Sequence, residues 1–296
     1  MAVVSAAETV DLREPRSWRR TKNRIATLLM VLSIIVVTLP LGWVVYAVLS
    51  RGASVISWEF LTSPIPPVVA PAEAGGMGPA VLGTFLITGW ATLMSVPLGI
   101  LGAIYMNEYG GRGGVASLVR FLADVMTGVP SIVMGLFIFS IWTLYFGFSG
   151  FAGALALGCL MLPIVIRSSE EMLKLVPNSL REASYALGAS KTRVTLTVVL
   201  PAALAGIVSG ALLAVARGAG ETAPLLFTIL TVTQANPNVF SGANTALATQ
   251  IFANATQPYP GAESRAWGAA LTLIAITFIC MIAARIITAR FARPAG

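Results

Sequence analysis

The sequence predicts an all-α protein that crosses a membrane with six transmembrane helices. Of its 296 residues, 56% are hydrophobic and only 10% are charged, whereas soluble domains average about 25% charged residues. The apolar residues form runs long enough to cross a bilayer, and most basic residues lie between those runs. Such a chain has too little polar surface to cover a water-soluble core. A soluble globular domain is therefore excluded, and lipid is the expected surrounding.

The N-terminal part of the chain predicts a tail, a helix and a loop. Residues 1–24 are polar and basic, and the apolar run 25–49 follows them. The apolar stretch of a cleaved signal peptide has only about 7–15 residues, whereas a transmembrane helix needs about 20. We therefore predict that the run 25–49 is a retained first helix. Residues 50–79 are rich in proline and glycine, which predicts an irregular external loop.

Residues 80–287 are predicted to hold the five other transmembrane helices. The corresponding apolar runs lie near residues 80–105, 122–146, 151–166, 194–230 and 266–287. The run 194–230 is too long for a simple crossing. A charged segment within residues 167–201 separates the fourth run from the fifth. An external polar loop near residues 232–265 could contain a short helix at 246–253, and residues 288–296 form a short tail.

The positions of the basic residues predict the topology. Six helices place both termini on one side of the membrane. Of the 19 Lys and Arg residues, sixteen then share the side of the termini, Arg217 lies inside the membrane, and only Arg51 and Arg265 lie on the opposite side. Cytoplasmic loops carry such an excess of Lys and Arg. We therefore predict a multi-pass plasma-membrane protein with both termini in the cytoplasm. The net charge of +7 reflects this topology and does not indicate nucleic-acid binding.

The chain carries little of the chemistry that an enzyme needs. It has no histidine, and both of its cysteines, Cys159 and Cys280, lie inside apolar runs. A disulfide framework, a metal site and a cofactor site are therefore not expected. The Gly-x-x-x-x-Gly-Lys-[Ser/Thr] loop that cradles nucleotide phosphates is absent from the sequence. We expect no catalytic residues, so any ATP hydrolysis must take place on a partner.

The segment 167–201 predicts two short helices joined by a glycine. Residues 178–187 can form the first helix, which Gly188 ends because glycine accepts the left-handed cap conformation. Ser190 can cap a second helix that leads into the membrane. From the residues alone, this helix–turn–helix segment is either a solvated hairpin between two spans or a surface that contacts another protein.

A resemblance favours the second interpretation. Glu182-Ala183-Ser184, Gly188 six residues after the glutamate, and the ending at Leu200-Pro201 resemble the EAA loop of ABC importer permeases. The third position holds Ser184 where that motif has alanine. The resemblance implies that the segment 167–201, which we call the coupling loop, docks on an ATP-binding subunit and transmits its motion. Glu182, Ala183, Ser184, Gly188 and Pro201 are the residues that it assigns to this coupling.

Two ionisable residues lie inside the fifth apolar run. Arg217 and Glu221 are four residues apart, which predicts that they share one helical face. A charge at the centre of a bilayer costs about 2.5 kcal/mol or more, so such groups face a partner or a watery cavity. The two residues either form an ion pair that locks two helices, or they line a path for an anion. Arginine suits the second role because its planar fork matches phosphate oxygens.

Proline occurs inside several predicted helices, at Pro40, Pro97, Pro130 and Pro163. Each ring removes a backbone donor and is expected to kink its helix, and for any single proline an ordinary kink is the simpler interpretation. Pro130 is the best candidate for more than that, because it is flanked by Thr127, Gly128 and Ser131. We predict that Pro130 and Ser131 line the substrate path together with Arg217, Glu221 and the adjacent Thr222.

Three segments resemble the PstA-type permeases of phosphate-specific ABC importers, a branch of the binding-protein-dependent transport permeases. They are Arg-Gly-Ala-Gly-Glu-Thr-Ala-Pro-Leu-Leu-Phe-Thr at 217–228, Gly-Val-Pro-Ser-Ile-Val-Met-Gly-Leu-Phe at 128–137, and Pro-Leu-Gly-Ile-Leu-Gly-Ala-Ile-Tyr-Met-Asn-Glu-Tyr at 97–109. The resemblance extends over about residues 75–285 and implies a type I ABC importer permease core. It also implies that Arg217 and Glu221 take part in the passage of phosphate.

The same resemblance implies partners and a function. The expected complex contains a PstC-like sister permease, two copies of a PstB-like ATPase and a PstS-like external phosphate-binding protein, and it imports inorganic phosphate at the expense of ATP. Three alternatives stay open. The cargo could be another oxyanion such as sulfate or molybdate, because an arginine alone does not separate tetrahedral anions. The chain could also be an ATP-independent anion transporter or channel, or a membrane scaffold or sensor.

Overall fold

The computed structural model describes residues 16–71, 74–110 and 113–291, and in these ranges helices are the regular element. We number the helices in chain order: α1 (Arg16–Gly52), α2 (Trp58–Thr62), α3 (Gly78–Tyr109), α4 (Gly114–Gly128), α5 (Ser131–Phe146), α6 (Gly150–Lys174), α7 (Asn178–Ala186), α8 (Lys191–Gly220), α9 (Ala223–Thr228), α10 (Leu247–Ala255) and α11 (Pro260–Phe291). A π-helical turn lies inside each of α3, α5 and α8, at Tyr105–Tyr109, Phe139–Thr143 and Thr195–Val199. The predicted all-α fold is confirmed.

The chain divides into two units, residues 1–49 and residues 50–296. The described part of the first unit is the body of α1, which contains Pro40. Its apolar side chains are exposed from Trp18 to Tyr46, for example Leu28 at 68% and Val37 at 70%. A helix that is apolar on all sides is typical of a membrane span. Residues 1–15 of the predicted tail, including Arg13, lie outside the described residues.

The second unit is built around α6, which packs against α3, α4, α5, α8 and α9. Small residues bring these helices close together. A Cβ atom on Gly99 of α3 would lie 2.6 Å from Val165 Cγ1, and one on Gly218 of α8 would lie 2.8 Å from Met161 Sδ. Both distances are below the contact limit of real Cβ atoms. The close approach seals an apolar core around Ile87, Leu157 and Met161.

Two of the predicted spans are broken. The run 122–146 was expected to be one helix kinked at Pro130, but α4 and α5 meet there at an angle of 108°. Pro130 cannot donate to the preceding turn, and it stands as the N-cap of α5 with φ −58° and ψ 137°. The predicted run 194–230 is likewise divided, because α8 ends at Gly220 and α9 begins at Ala223.

Among the described residues, five helices are long and apolar enough to cross a membrane, and the count becomes six if the bent pair α4–α5 forms one span. The larger count agrees with the six predicted helices. The sixth span α11 begins at Pro260 and not near residue 266. The short helix predicted at 246–253 is confirmed by α10, for which Ala246 is the N-cap.

Arg265 was predicted to lie in an external loop, and this is wrong. It lies in α11 and is fully buried. Its Nη1 donates to the carbonyls of Ala70 and Pro71, both at 2.9 Å, and its Nη2 donates to Val68 at 2.9 Å. Proline-rich backbone has few N–H groups to pair with its carbonyls, so the guanidinium takes their place. The segment 64–71 is thus fixed against α11.

Candidate anion path and coupling loop

A cavity of about 180 Å³ lies where the two broken spans meet α6. It brings together four of the five residues predicted to form the substrate path, namely Arg217, Glu221, Pro130 and Ser131. Thr222, the fifth, is not part of its lining. The other lining residues come from α4 and α6 and from the segment between α4 and α5: Met126, Thr127, Val129, Leu160, Pro163 and Ile164. The sequence therefore identified most of the polar part of this cavity, and the structure adds Thr127 and the apolar walls.

Arg217 and Glu221 form a loose ion pair at this cavity, with Nε and Oε1 3.6 Å apart. They were predicted to share a helical face, but α8 ends at Gly220 and the backbone of Glu221 is extended, with φ −72° and ψ 126°. The side chain of Arg217 is 69% exposed and that of Glu221 is 20% exposed. Among the described residues no hydrogen bond uses the two Nη groups of Arg217, so these donors are open to a ligand.

The cavity wall that contains Pro130 is positioned by packing. Helix α5 lies against α9, and a Cβ atom on Gly135 would lie 2.6 Å from the Cα of Pro224. The two helices that follow the two breaks are therefore in close contact. On the other side of the first break, α4 packs against α6. The groups at the two breaks face one cavity because both broken spans rest on α6.

The coupling loop has the geometry that its residues predict. Helix α7 ends at Ala186, Gly188 adopts a φ of +79°, and the Oγ of Ser190 accepts a hydrogen bond from Arg193 N at 3.4 Å. Residues 167–174, which were placed in the loop, instead form the last turns of α6. Glu182, Ala183, Gly188 and Pro201 are exposed, and Ser184 is half-buried and donates to Leu180 O at 2.8 Å.

The outer face of the loop is partly apolar. Leu187, at 90% exposed, is the most exposed of the large apolar side chains, and Leu180 and Tyr185 are exposed at 46% and 40%. On the inner face, Arg181 ties the loop to α3 and α6. Its Nη2 lies 3.0 Å from Glu108 Oε1 and donates to Leu173 O at 3.0 Å, and its Nη1 donates to Val176 O at 2.5 Å.

Known proteins are similar to this chain over most of its length. The family model described as "Binding-protein-dependent transport system inner membrane component" matches residues 95–293. "Phosphate transport system permease protein PstA 1" of Mycobacterium tuberculosis is 43% identical over 272 residues, which are 91% of this chain and 89% of that protein. "Phosphate transport system permease protein PstA" of Yersinia pestis is 40% identical over 284 residues, 94% of each chain. The chain belongs to the PstA permease family.

A solved structure agrees with the fold of this PstA-family permease. An inward-facing conformation of the MetNI methionine ABC transporter superposes with a TM-score of 0.51 and 20% identity, over 74% of this chain and 93% of that chain. At this identity the similarity concerns the fold, which is that of a type I ABC importer permease. The long apolar helices and the family together make the chain a multi-pass inner-membrane protein.

A cluster of charges around Glu170 was not predicted from the sequence of this permease. Glu170 of α6 has a side chain only 1% exposed, and it contacts three cations. Arg120 Nε lies 2.7 Å from Oε1, Lys174 Nζ lies 2.9 Å from Oε1, and Arg167 Nη1 lies 3.4 Å from Oε2. Arg167 also pairs with Asp124 of α4. The spacing of 167, 170 and 174 places three charges on one helical face, and this signal could have indicated the cluster.

Neither polar region resembles a metal site. Within residues 16–71, 74–110 and 113–291, no group of three or more Cys, Asp or Glu residues is placed to hold a metal ion. The carboxylates of Glu170, Glu108 and Glu221 are each paired with an arginine. The chemistry that these regions offer is the binding of anions and the pairing of charges.

Proposed function

We propose that this PstA-family permease forms part of the membrane path of an importer that takes up inorganic phosphate and is driven by ATP hydrolysis on a partner. The proposal is supported by the names of its relatives, which describe phosphate transport, and by the polar cavity at the two helix breaks. Sulfate or molybdate import and ATP-independent anion transport are the alternatives. The identities of 40–43% to phosphate permeases favour phosphate.

The loose pairing of Arg217 carries the proposal. A guanidinium in a tight bidentate pair would have few donors left, but here the Glu221 carboxylate lies 3.6 Å from Nε and leaves both Nη groups for an anion. Paired nitrogens of one guanidinium match two oxygens of a phosphate. Glu221 holds the guanidinium in place and lowers its affinity for the anion, which allows the anion to be released.

The opposite wall of the cavity adds further donors. Helix α5 begins at Ser131, and the first N–H groups of a helix are unpaired and favour anions. The hydroxyl of Ser131 makes no hydrogen bond to another described residue, so it can also donate. A phosphate between Arg217 and the start of α5 would thus exchange its hydration shell for donors on two sides.

The coupling loop provides the connection to ATP. The sequence lacks a nucleotide-binding loop, so the permease needs an ATPase, for which a PstB-like dimer is the expected partner. The surface of the permease that contacts this ATPase would comprise Glu182, Ala183, Ser184 and the exposed Leu187. Gly188 would form the turn, and Pro201 would mark the entry into the span. A PstC-like permease would complete the path, and a PstS-like protein would deliver phosphate from outside. This arrangement requires both termini to be cytoplasmic.

An uptake assay with an Arg217 variant tests this proposal. A hydrogen bond to a charged group contributes about 1.5–3 kcal/mol. We therefore expect Arg217→Gln to lower the uptake of radiolabelled phosphate by about 10-fold or more, while Arg217→Lys retains part of it. Vesicles would contain the complete complex, and immunoblotting would show equal amounts of each subunit. Arg24→Gln, which removes an exposed charge near the start of α1, controls for the loss of a positive charge.

Three results would count against the proposal. Normal phosphate uptake by Arg217→Gln in an intact complex would remove the assigned role of the guanidinium. Uptake of labelled phosphate that is suppressed by sulfate or molybdate as well as by unlabelled phosphate would replace phosphate with a wider class of oxyanions. Uptake that continues without the ATPase subunit would favour the ATP-independent alternative.

A further inference from the structure

The charged side chains between α7 and the cavity form a series of ion pairs, which we call the ladder; its first pair joins α7 to α3, and the others join α6 to α4. Nearest the coupling loop, Arg181 pairs with Glu108 at 3.0 Å. Glu170 comes next and pairs with Arg120 at 2.7 Å. The last rung joins Arg167 to Asp124. The next turn of α4 carries Met126 and Thr127, which line the cavity, so the ladder ends at the cavity wall.

Helix α4 buries few side chains against its neighbours. Those that are buried are the two small residues Ala116 and Ala123, and Val119 packs half-buried against the same cluster. Most other apolar residues of α4 are exposed, for example Leu118 at 55% and Phe121 at 62%. The ion pairs with α6 therefore determine much of the position of α4.

Glu170 is the most buried of the charged groups that join α4 to α6. Its buried carboxylate binds Arg120 of α4, and it binds Arg167 and Lys174 of its own helix. Arg120 in turn donates through Nη2 to the carbonyl of Met106 at 2.9 Å, in the π-helical turn of α3. One carboxylate thus holds three helices at the end of the bundle from which the coupling loop emerges.

The geometry points to Glu170 as a positioning residue that transmits movement of the coupling loop to the cavity, an inference that rests on the function proposed above. Arg181 fixes α7 to the end of α6 and to the segment that follows it, through the carbonyls of Leu173 and Val176. A displacement of α7 therefore moves the end of α6 and, through Glu170, α4. Because α4 ends at the break before Pro130, its movement changes the wall opposite Arg217. Without the carboxylate, α4 would be joined to α6 by the Arg167–Asp124 pair, and less of the movement of α7 would reach α4.

Measuring transport and ATP hydrolysis together tests this inference. The complete complex would be reconstituted in liposomes with Glu170→Gln, which preserves shape and removes charge. We expect ATP hydrolysis to stay within about twofold of wild type and the phosphate imported per ATP hydrolysed to fall about fivefold or more, the lower end of common coupling energies. Glu170→Asp should restore part of the ratio. Glu171→Gln removes a neighbouring exposed carboxylate and should leave the ratio unchanged.

A second variant covers the case in which Glu170→Gln does not assemble. Asp124 is 55% exposed, so Asp124→Asn should fold normally and lower the same ratio to a smaller extent. A ratio that stays at the wild-type value in Glu170→Gln, or in Asp124→Asn where only that variant assembles, would overturn the inference. A fall in ATP hydrolysis and uptake by the same factor would also overturn it, because it would indicate loss of folded complex.

A distance measurement separates this inference from the proposed cargo. Spin labels would be attached at Ser179 on α7 and Leu118 on α4, both exposed, after replacement of Cys159 and Cys280 by serine. We expect the distance between the labels to be the same without nucleotide and with ATP trapped in wild type, and to differ between these states in Glu170→Gln. An equal response of both proteins would contradict the inference. This result does not depend on which anion is transported, so a wrong cargo and a wrong transmission path remain distinguishable.

Discussion

The two sets of charges in this permease differ in how completely they are paired. Arg217 faces one carboxylate at 3.6 Å and is 69% exposed. Glu170 is 1% exposed and contacts three cations, two of them within 2.9 Å. Arg217 lies in α8 and Glu170 lies in α6, two of the helices that are long and apolar enough to cross a membrane. The first set leaves donors unused, whereas the second satisfies its carboxylate completely.

This difference indicates that the same kind of side chain serves two purposes in the protein. A charge with unused hydrogen-bonding groups beside a cavity can bind a mobile ion. A buried charge whose partners come from several helices fixes those helices, because removing one partner leaves the others uncompensated in a medium of low dielectric constant. On this basis we assign binding to the Arg217 pair and positioning to the Glu170 cluster. Stability measurements on matched variants test this division.

The largest effect on stability is expected from Glu170→Ala. The variant leaves Arg120, Arg167 and Lys174 without their shared carboxylate. Breaking a buried pair costs about 3–5 kcal/mol, and since these cations are partly exposed we expect a loss of about 2–3 kcal/mol. Thermal unfolding of the purified complex in detergent would measure the loss. Glu171→Ala is the matched control, and an equal midpoint for the two variants would show that the cluster does not stabilise the fold.

A smaller loss is expected where packing positions the cavity. Gly135→Ala places a Cβ atom 2.6 Å from the Cα of Pro224, so α5 and α9 must separate slightly. Overpacking of this kind costs about 1–2 kcal/mol. The same thermal measurement would show it, and phosphate uptake should fall because both helices border the cavity. Gly128→Ala, at a position with open space around the added atom, should change neither quantity. A neutral Gly135→Ala would mean that the helix breaks are not held by this contact.

Much of the fold and of the cavity could be predicted from the sequence. The apolar runs predicted the spans, since a bilayer imposes a minimum length on them. Gly188 predicted the end of α7, because glycine readily adopts left-handed backbone. Ser190 predicted the start of α8, because serine is a favoured N-cap. Arg217 and Glu221 were found because charges are costly in a membrane. In each case a local physical requirement restricts which residue can occupy the position.

The features that were missed depend on tertiary contacts. Proline predicts a disturbed helix at Pro130, but the angle of 108° follows from how α4 and α5 rest on α6. Glu170 was read as part of a charged loop, since its burial depends on Arg120, which lies 50 residues earlier. Arg265 was placed in a loop because the carbonyls that accept its hydrogen bonds lie almost 200 residues earlier in the chain. Sequence spacing contains no direct signal for such partners.

The smallest effect on stability is expected from Arg217→Ala, and this variant tests the division most directly. An exposed and loosely paired charge contributes little, so we expect thermal unfolding to change by no more than about 0.5 kcal/mol. Arg217→Gln is nevertheless expected to lose phosphate uptake. The structural alternative, an ion pair that locks two helices, requires the opposite, namely a loss of stability close to that of Glu170→Ala measured in the same detergent. If Arg217→Ala is as destabilising as Glu170→Ala, the Arg217 pair belongs with the positioning charges, and the anion path needs another donor. If the complex stays stable while transport is lost, the distance of 3.6 Å between Arg217 and Glu221 is explained as the spacing that leaves the guanidinium open to a ligand.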